Sequence, residues 1–274
     1  MEKPNIIIFG ANGMLGRYVS CYFDKYYNTI RITRKDIDIE KCNANDLTNL
    51  LKEKKINNVT TYAVNCIGII PQKHALDNNK LYIKINSLFP HLLSYVCFNL
   101  NMKLFHITTD CVFSGNKGNY NEHDTHDETN IYGVTKSLGE PDNCCVIRTS
   151  IIGEELENKK SLLEWVRSNK DKKINGFVNH YWNGVTCLQL AKILHEIVKD
   201  NKYFFGVRHI FSPNSVNKYE LVNMINNIYD LNIIIDKKET NKIDKTLMTI
   251  YPKMTDVPDI DIQIKELVAF KLYQ

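Results

Sequence analysis

Tyr132 and Lys136 lie four residues apart within Asn130-Ile131-Tyr132-Gly133-Val134-Thr135-Lys136-Ser137-Leu138-Gly139-Glu140, with no proline between them. On a helix that spacing puts both on one face. A phenol beside an ammonium can act as a proton donor, because the positive charge favours the phenolate and lowers its pKa towards neutrality. Such pairs also occur on ordinary solvated helix surfaces, so the surrounding elements must decide.

The first of those elements is at the N-terminus. Asn5-Ile6-Ile7-Ile8-Phe9 is a short apolar run ended by Gly10, the pattern of a buried parallel strand, and a helical pattern follows through Val19, Cys21, Tyr22 and Phe23. Between them stands Gly10-Ala11-Asn12-Gly13-Met14-Leu15-Gly16. In a strand–turn–helix setting, the three glycines read as a dinucleotide fingerprint: Gly10 for the tight turn, Gly13 for backbone approach to a pyrophosphate, Gly16 for helix–strand packing. Asn12, Met14 and Leu15 would then border the cofactor, and the pyrophosphate would rest on the helix N-terminus. The second predicted strand, Thr29 to Thr33, runs into Arg34 and Lys35 rather than an acid, with Arg17 a candidate neighbour. Cations there suit a ribose 2′-phosphate, so NADPH is expected, with NAD the less favoured alternative. Asp38 and Ile39 are candidates to flank the adenine, and Cys66, Ile67 and Gly68 at the end of a third strand (58–68) complete the cofactor set.

Predicted helix 88–100, strand 103–107, helix 131–140 and strand 144–148 continue the alternation, which means an α/β, Rossmann-type doubly wound parallel sheet. After Ile152 the alternation loosens: helices are expected over 161–169, 188–199, 218–228 and 261–272, with short strands near 173–177, 207–211 and 233–236. The chain is therefore expected to divide into a dinucleotide-binding domain, 1–152, and a smaller substrate-binding domain, 153–274, with the helix near 187–199 packing back on the first. At 43% hydrophobic and 24% charged, with a net charge of +4 and both signs interspersed, the composition suits a globular protein and an anionic small molecule rather than nucleic acid. No apolar run approaches the ~20 residues that span a bilayer, no secretion signal is read, and eight cysteines without a Cys-x-x-Cys pair suggest reduced thiols in the cytoplasm.

Taken together, Gly10 to Gly16, Asn65, Thr108-Thr109-Asp110-Cys111-Val112-Phe113-Ser114-Gly115, Tyr120-x-Glu122-x-Asp124, the Tyr132/Lys136 segment, Arg148-Thr149-Ser150, Trp182-Asn183-Gly184-Val185-Thr186 and Gly206 to Ile210 resemble the extended short-chain dehydrogenase/reductases. The resemblance is to their sugar-nucleotide-binding branch, the dTDP-4-dehydrorhamnose reductase-like proteins, and it covers nearly the whole chain. It implies NADPH-dependent reduction of a UDP- or dTDP-linked 4-keto-6-deoxyhexose in deoxysugar (rhamnose-type) biosynthesis for surface glycans. Tyr132 would protonate the alkoxide, Lys136 would hold the nicotinamide ribose, and Thr109 would donate to the same oxygen. Asp110, Val112, Trp182 and Lys245 would contact substrate, Lys245 standing where relatives carry an arginine. The resemblance leaves room for a homodimer.

Cys111 departs from the reductase pattern, in which tyrosine is usual after Thr-Asp. If the strand persists, residues 109 and 111 share a face and the thiol lies beside the substrate. GDP-fucose synthase and plant-type UDP-rhamnose synthase are similar here and use such a cysteine in epimerisation, so 3- or 3,5-epimerase activity is an open alternative to a plain buried thiol. The second base in those families is a lysine or histidine; Lys160 and His180 are the candidates named by sequence. His123, Asp124, His126 and Asp127 are metal-ligand types, but the resemblance places them in a loop before the catalytic helix, and no metal is expected. A rival reading is a non-catalytic NADP-binding regulatory subunit like that of methionine adenosyltransferase.

Overall fold

The structure is a computed structural model, and it describes residues 3–55, 59–71, 78–157 and 159–272. Strand β1 (Asn5–Phe9) is buried along its whole length. Its side chains alternate between two cores: Ile6 and Ile8 join one, Ile7 and Phe9 the other. A strand with both faces covered must lie inside a three-layer sandwich. Around it a six-stranded sheet forms from β1, β2 (Asn28–Ile32), β3 (Thr61–Asn65), β4 (Lys103–Thr109), β5 (Cys145–Thr149) and β6 (Gly206–His209), in the order β6-β5-β4-β3-β1-β2. All its pairings are parallel. Asn58, expected to open the third strand, lies outside the described residues.

One face is covered by α1 (Met14–Phe23), whose Tyr18 and Val19 share a core with Leu190, Ala191 and Leu194 of a later helix, Cys187–Lys199. Helix α2 (Ala44–Lys54) and helix α3 (Phe89–Asn99) cover the other, through Leu47, Leu51, Leu93 and Val96. Each fully buried aliphatic of this kind stabilises the fold by roughly 1.5–3 kcal/mol. Helix α3 is preceded by a π-helical stretch, Ile83–Leu88, which packs on α4 (Ile131–Ser137), the helix carrying Tyr132 and Lys136. The chain order reverses direction between β1 and β3, so a crevice opens at their carboxyl ends, where open α/β sheets bind ligands.

The sixth strand comes from the second half of the sequence, and the helix Cys187–Lys199 leads into it. The rest of that half builds a parallel pair, Lys173–Phe177 with Ile234–Lys238, and a small mixed sheet. In that small sheet His180–Trp182 pairs with Val216–Asn217 on one side and with Ile243–Asp244 on the other. Trp182 ends the first of these strands, Lys218 follows the second and Lys245 follows the third. Residues Asp244 to Met248 are stitched to the loop after β4: Asp244 N–H donates to Gly115 O at 2.7 Å, Tyr120 N–H to Thr246 O at 2.9 Å and Met248 N–H to Tyr120 O at 2.8 Å. The small sheet therefore delivers its side chains to the edge of the Rossmann crevice.

Candidate active site

The glycine turn after β1 has the form the sequence predicts. Gly10 adopts φ +73°, and a Cβ there would lie 2.8 Å from Ile67 Cγ1. A Cβ on Gly16 would lie 2.2 Å from Gly10 O, so α1 can approach the turn only without a side chain. Helix α1 is preceded by Gly13 at its N-cap with no side-chain cap, which leaves N–H groups of its first turn without a side-chain partner. Asn12 is exposed, Met14 is half-buried and Leu15 packs inward. Opposite, Asn65 fixes the loop after β3: its amide donates to His106 Nδ1 at 3.1 Å, while its Oδ1 accepts from Ile67 N–H at 3.1 Å. Cys66 and Ile67 are half-buried, whereas Gly68 is exposed and close to α4; a Cβ on it would lie 3.2 Å from Lys136 Nζ. These cradles, which any Cβ would fill, fit a dinucleotide.

In the loop after β2, Arg34 and Lys35 are exposed. Asp36 is taken up by its own turn, accepting from Thr33 N–H and Oγ1 at 2.8 Å each. Asp38 is exposed and pairs with Lys41 at 3.2 Å, and Ile39 packs half-buried against the core beneath.

The chemistry-bearing residues of β4 and α4 come together. Thr109 ends β4; its hydroxyl donates to Asp110 Oδ1 at 3.1 Å and accepts from Cys111 N–H at 3.1 Å. Asn130 caps α4 by accepting from Gly133 N–H at 2.9 Å, which starts the helix one residue before Tyr132. Lys136 is buried, and its ammonium donates to Ile107 O at 3.4 Å. Burial lowers the Lys136 pKa to about 8, with Glu140 and Cys111 pulling the other way. The phenol differs from the sequence expectation. Burial raises the Tyr132 pKa, and Cys111 and Asp110 add to that, while a hydrogen bond with Thr109 draws it down. An ammonium does not depress this phenol, because desolvation opposes the phenolate and weakens the lysine charge as well. Tyr132 is thus held protonated, the form a proton donor needs.

The strand does not persist to residue 111. Asp110–Val112 forms a 3-10 turn, and Cys111 reaches the site through that turn. Its thiol donates to Asp110 Oδ1 at 3.5 Å. Burial and the Asp110 charge push its pKa up to about 12, against a lowering by Lys245. Asp110 is buried and also raised by burial, with Lys245 and Lys218 opposing. Val112 is a correction: the turn sends its side chain inward to Phe113, Tyr120 and Leu247, fully buried, with no surface left for substrate. Trp182 is almost wholly covered and has the Lys218 ammonium 5.5 Å from its ring centroid. Lys245 pairs with Glu128 at 3.2 Å. Burial works against its charge, but Cys111, Asp110 and Glu128 together hold its pKa up.

Neither lysine-or-histidine candidate reaches Cys111 in this arrangement. Lys160 is exposed and its backbone N–H is bound by Glu155, while His180 Nε2 is 2.7 Å from Thr240 Oγ1. His126 Nδ1 is 2.6 Å from Ser137 Oγ, and Asp124 and Asp127 bind Asn121 and Ser114. Sequence reasoning missed Lys218, Asn86 and Glu128. Asn86 clamps Ile69 through both its amide atoms, at 3.0 and 3.1 Å. The Asn217/Glu220 spacing is a readable capping box that places Lys218 at a helix start, but only the small sheet's pairing brings it beside Trp182.

Beneath these residues a buried network ties the two halves together. Arg148 makes a bidentate pair with Glu140 at 2.7 and 3.1 Å and lies 2.7 Å from His209 Nε2. Burial and the adjacent Arg148 lower the His209 pKa to about 4, so it stays neutral and can accept from the guanidinium.

The fold recurs in known proteins. The chain is 27% identical to the dTDP-4-keto-6-deoxy-D-glucose reductase of Streptomyces niveus over 80% of its own length and 76% of the relative's. A crystal structure of a dTDP-4-dehydrorhamnose reductase from Clostridium acetobutylicum superposes with a TM-score of 0.80 at 21% identity, covering 97% of this chain and 98% of that one. One from Bacillus anthracis, in complex with NADP, gives 0.81 at 18% identity, covering 97% and 99%. With the fold shared from end to end, and residues 4–252 matching the family's pattern, the chain belongs to the RmlD substrate binding domain family.

Proposed function

We propose that this chain is an NADPH-dependent 4-reductase of a nucleotide-linked (UDP or dTDP) 4-keto-6-deoxyhexose, with proton exchange beside the ketone as a second capacity. The observation that carries the reading is the convergence of Thr109, Tyr132 and Lys136 beside Gly68, at the mouth of a glycine-turn crevice. The names of the relatives, reductases of dTDP-linked sugars, support it, as does the NADP complex of the Bacillus anthracis protein. NADPH, when bound, supplies the hydride. The chain's own residues do the rest. Tyr132 keeps its proton until negative charge develops on the carbonyl oxygen and then releases it there. Thr109 donates a hydrogen bond to the same oxygen, and Lys136 holds the cofactor ribose and steadies the phenolate that forms. A positioned acid of this kind contributes roughly 10²–10⁴-fold in rate.

Lys245 is the group from the second half proposed to meet the nucleotide diphosphate, as a point charge rather than a bidentate fork. Cytoplasmic deoxysugar synthesis is the setting the reading implies. The regulatory-subunit alternative is not favoured, since the relatives carry reductase names and all three catalytic side chains are present. The test is NADPH oxidation, followed at 340 nm, with dTDP- and UDP-linked 4-keto-6-deoxyglucose. Turnover with either is expected; NADPH binding without turnover on both would favour the regulatory reading.

A further inference from the structure

His106 lies on β4, fully buried, three residues before Thr109, and is the cross-strand partner of Asn65 at the end of β3. Geometry alone assigns the protons between them. A backbone N–H only donates, so the Asn65 atom 3.1 Å from Ile67 N–H must be the carbonyl oxygen. That turns the Asn65 NH2 group, which can only donate, toward His106 Nδ1 at 3.1 Å. Nδ1 must therefore accept, and a neutral imidazole that accepts there carries its proton on Nε2. Burial lowers the His106 pKa well below the ordinary imidazole value, and Lys136 from α4 and His91 from α3 act in the same direction. Nε2 has no protein partner among the described residues, so the ring's hydrogen bonding to them runs through Asn65.

The segment that Asn65 holds lies between two parts of the crevice. On one side Ile67 packs on the glycine turn, its Cγ1 2.8 Å from the place of a Cβ on Gly10. On the other, Gly68 faces α4, and a Cβ on it would lie 3.2 Å from Lys136 Nζ. Moving Cys66–Gly68 would therefore disturb the turn and the space before Lys136 together.

We propose that His106 is a positioning residue for the dinucleotide: with its proton on Nε2 it accepts from Asn65, orients that amide, and so keeps Cys66–Gly68 set between the glycine turn and Lys136. The proposal rests on the NADPH reading above. A charged ring, or one with its proton on Nδ1, would set a donor against a donor. The Asn65 amide would then turn over and release Ile67 N–H. His106 acts on the cofactor only through Asn65.

The experiment compares His106→Asn with His106→Gln. The Asn oxygen can stand where Nδ1 does, whereas the Gln amide reaches one bond further, to the place of Nε2, and leaves no acceptor for Asn65. NADPH affinity is measured by fluorescence titration of the full chain, with the thermal midpoint alongside. His106→Asn leaves the larger cavity yet should bind NADPH within about threefold of wild type. His106→Gln fills the site better yet should bind roughly tenfold more weakly, because the Asn65 amide is left unpaired. Long-range proton–nitrogen spectra of wild type carrying 15N-histidine should show one ring, absent from the His106→Asn spectrum, with a bare Nδ1 and a protonated Nε2. A His106 ring that is charged or protonated on Nδ1 overturns the proposal without any variant. Affinities that follow the thermal midpoints, with His106→Gln binding as well as wild type, overturn it and leave the NADPH reading standing. A wild type that binds no NADPH overturns both.

Discussion

Tyr132 was legible as a candidate proton donor from its spacing to Lys136, but the reason it keeps its proton was not. The spacing suggested an ammonium that depresses the phenol; the folded site raises the phenol by burial and lowers Lys136 itself to about 8. Both shifts depend on what covers the pair, which is a property of β4, the 3-10 turn and the π-helical stretch together. The glycines were legible for the opposite reason, since Gly10 and Gly16 answer local demands of turn and close approach. Cofactor choice also belongs to single residues. Asp36 is occupied by Thr33 and Asp38 by Lys41, leaving Arg34 exposed in the loop after β2, the residue proposed to meet a 2′-phosphate. Fluorescence titration should give tighter binding of NADPH than NADH, with Arg34→Ala narrowing the gap by about tenfold, in line with loss of one charged hydrogen bond. Equal affinities in wild type would contradict this assignment.

At the level of elements, the long periodic segments were readable and the irregular ones were not. Lys173–Phe177 and Lys218–Ile228 have the bounds expected from pattern alone. The turn at Asp110–Val112 and the π-helical stretch Ile83–Leu88 have no such signal, because tertiary contacts select them. That stretch matters for function through one close approach: a Cβ on Gly139 would sit 1.8 Å from Asn86 O, and Ser87 Oγ donates to Thr135 O at 2.7 Å. Gly139→Ala must push α4 away from Asn86, the residue that clamps Ile69. The expected cost is about 1–3 kcal/mol of stability, read from urea denaturation, together with weaker NADPH binding. Wild-type values for both would mean that this contact does not position the helix.

For the whole molecule, joining the two halves through β6 and the Arg148–His209 network is what brings Lys218 and Lys245 to a site begun a hundred residues earlier; no local pattern carries that information. The same burial predicts how stability responds to alkali. Cys66, Cys97, Cys144, Cys145 and Cys187 all have pKa values raised by burial. A raised folded pKa gives stability that is intact below the unfolded thiol value near ~8.5 and is lost as pH climbs above it. Lys136 and Lys218, both lowered by burial, act in the opposite sense, but they are two groups against the five thiols named. In reducing buffer the stability should therefore fall between pH 8 and pH 10, by at most on the order of 1.4 kcal/mol per pH unit per thiol, read as a falling thermal midpoint. A midpoint that holds or rises would mean the thiols titrate freely. The central claim, that the assembled site reduces a keto sugar with Tyr132 as its acid, is tested most directly by single-turnover reduction of a nucleotide-linked 4-keto-6-deoxyhexose in Tyr132→Phe. NADPH should still bind, while the rate falls by roughly 10²–10⁴-fold. A phenylalanine variant that reduces the substrate at the wild-type rate would contradict the account.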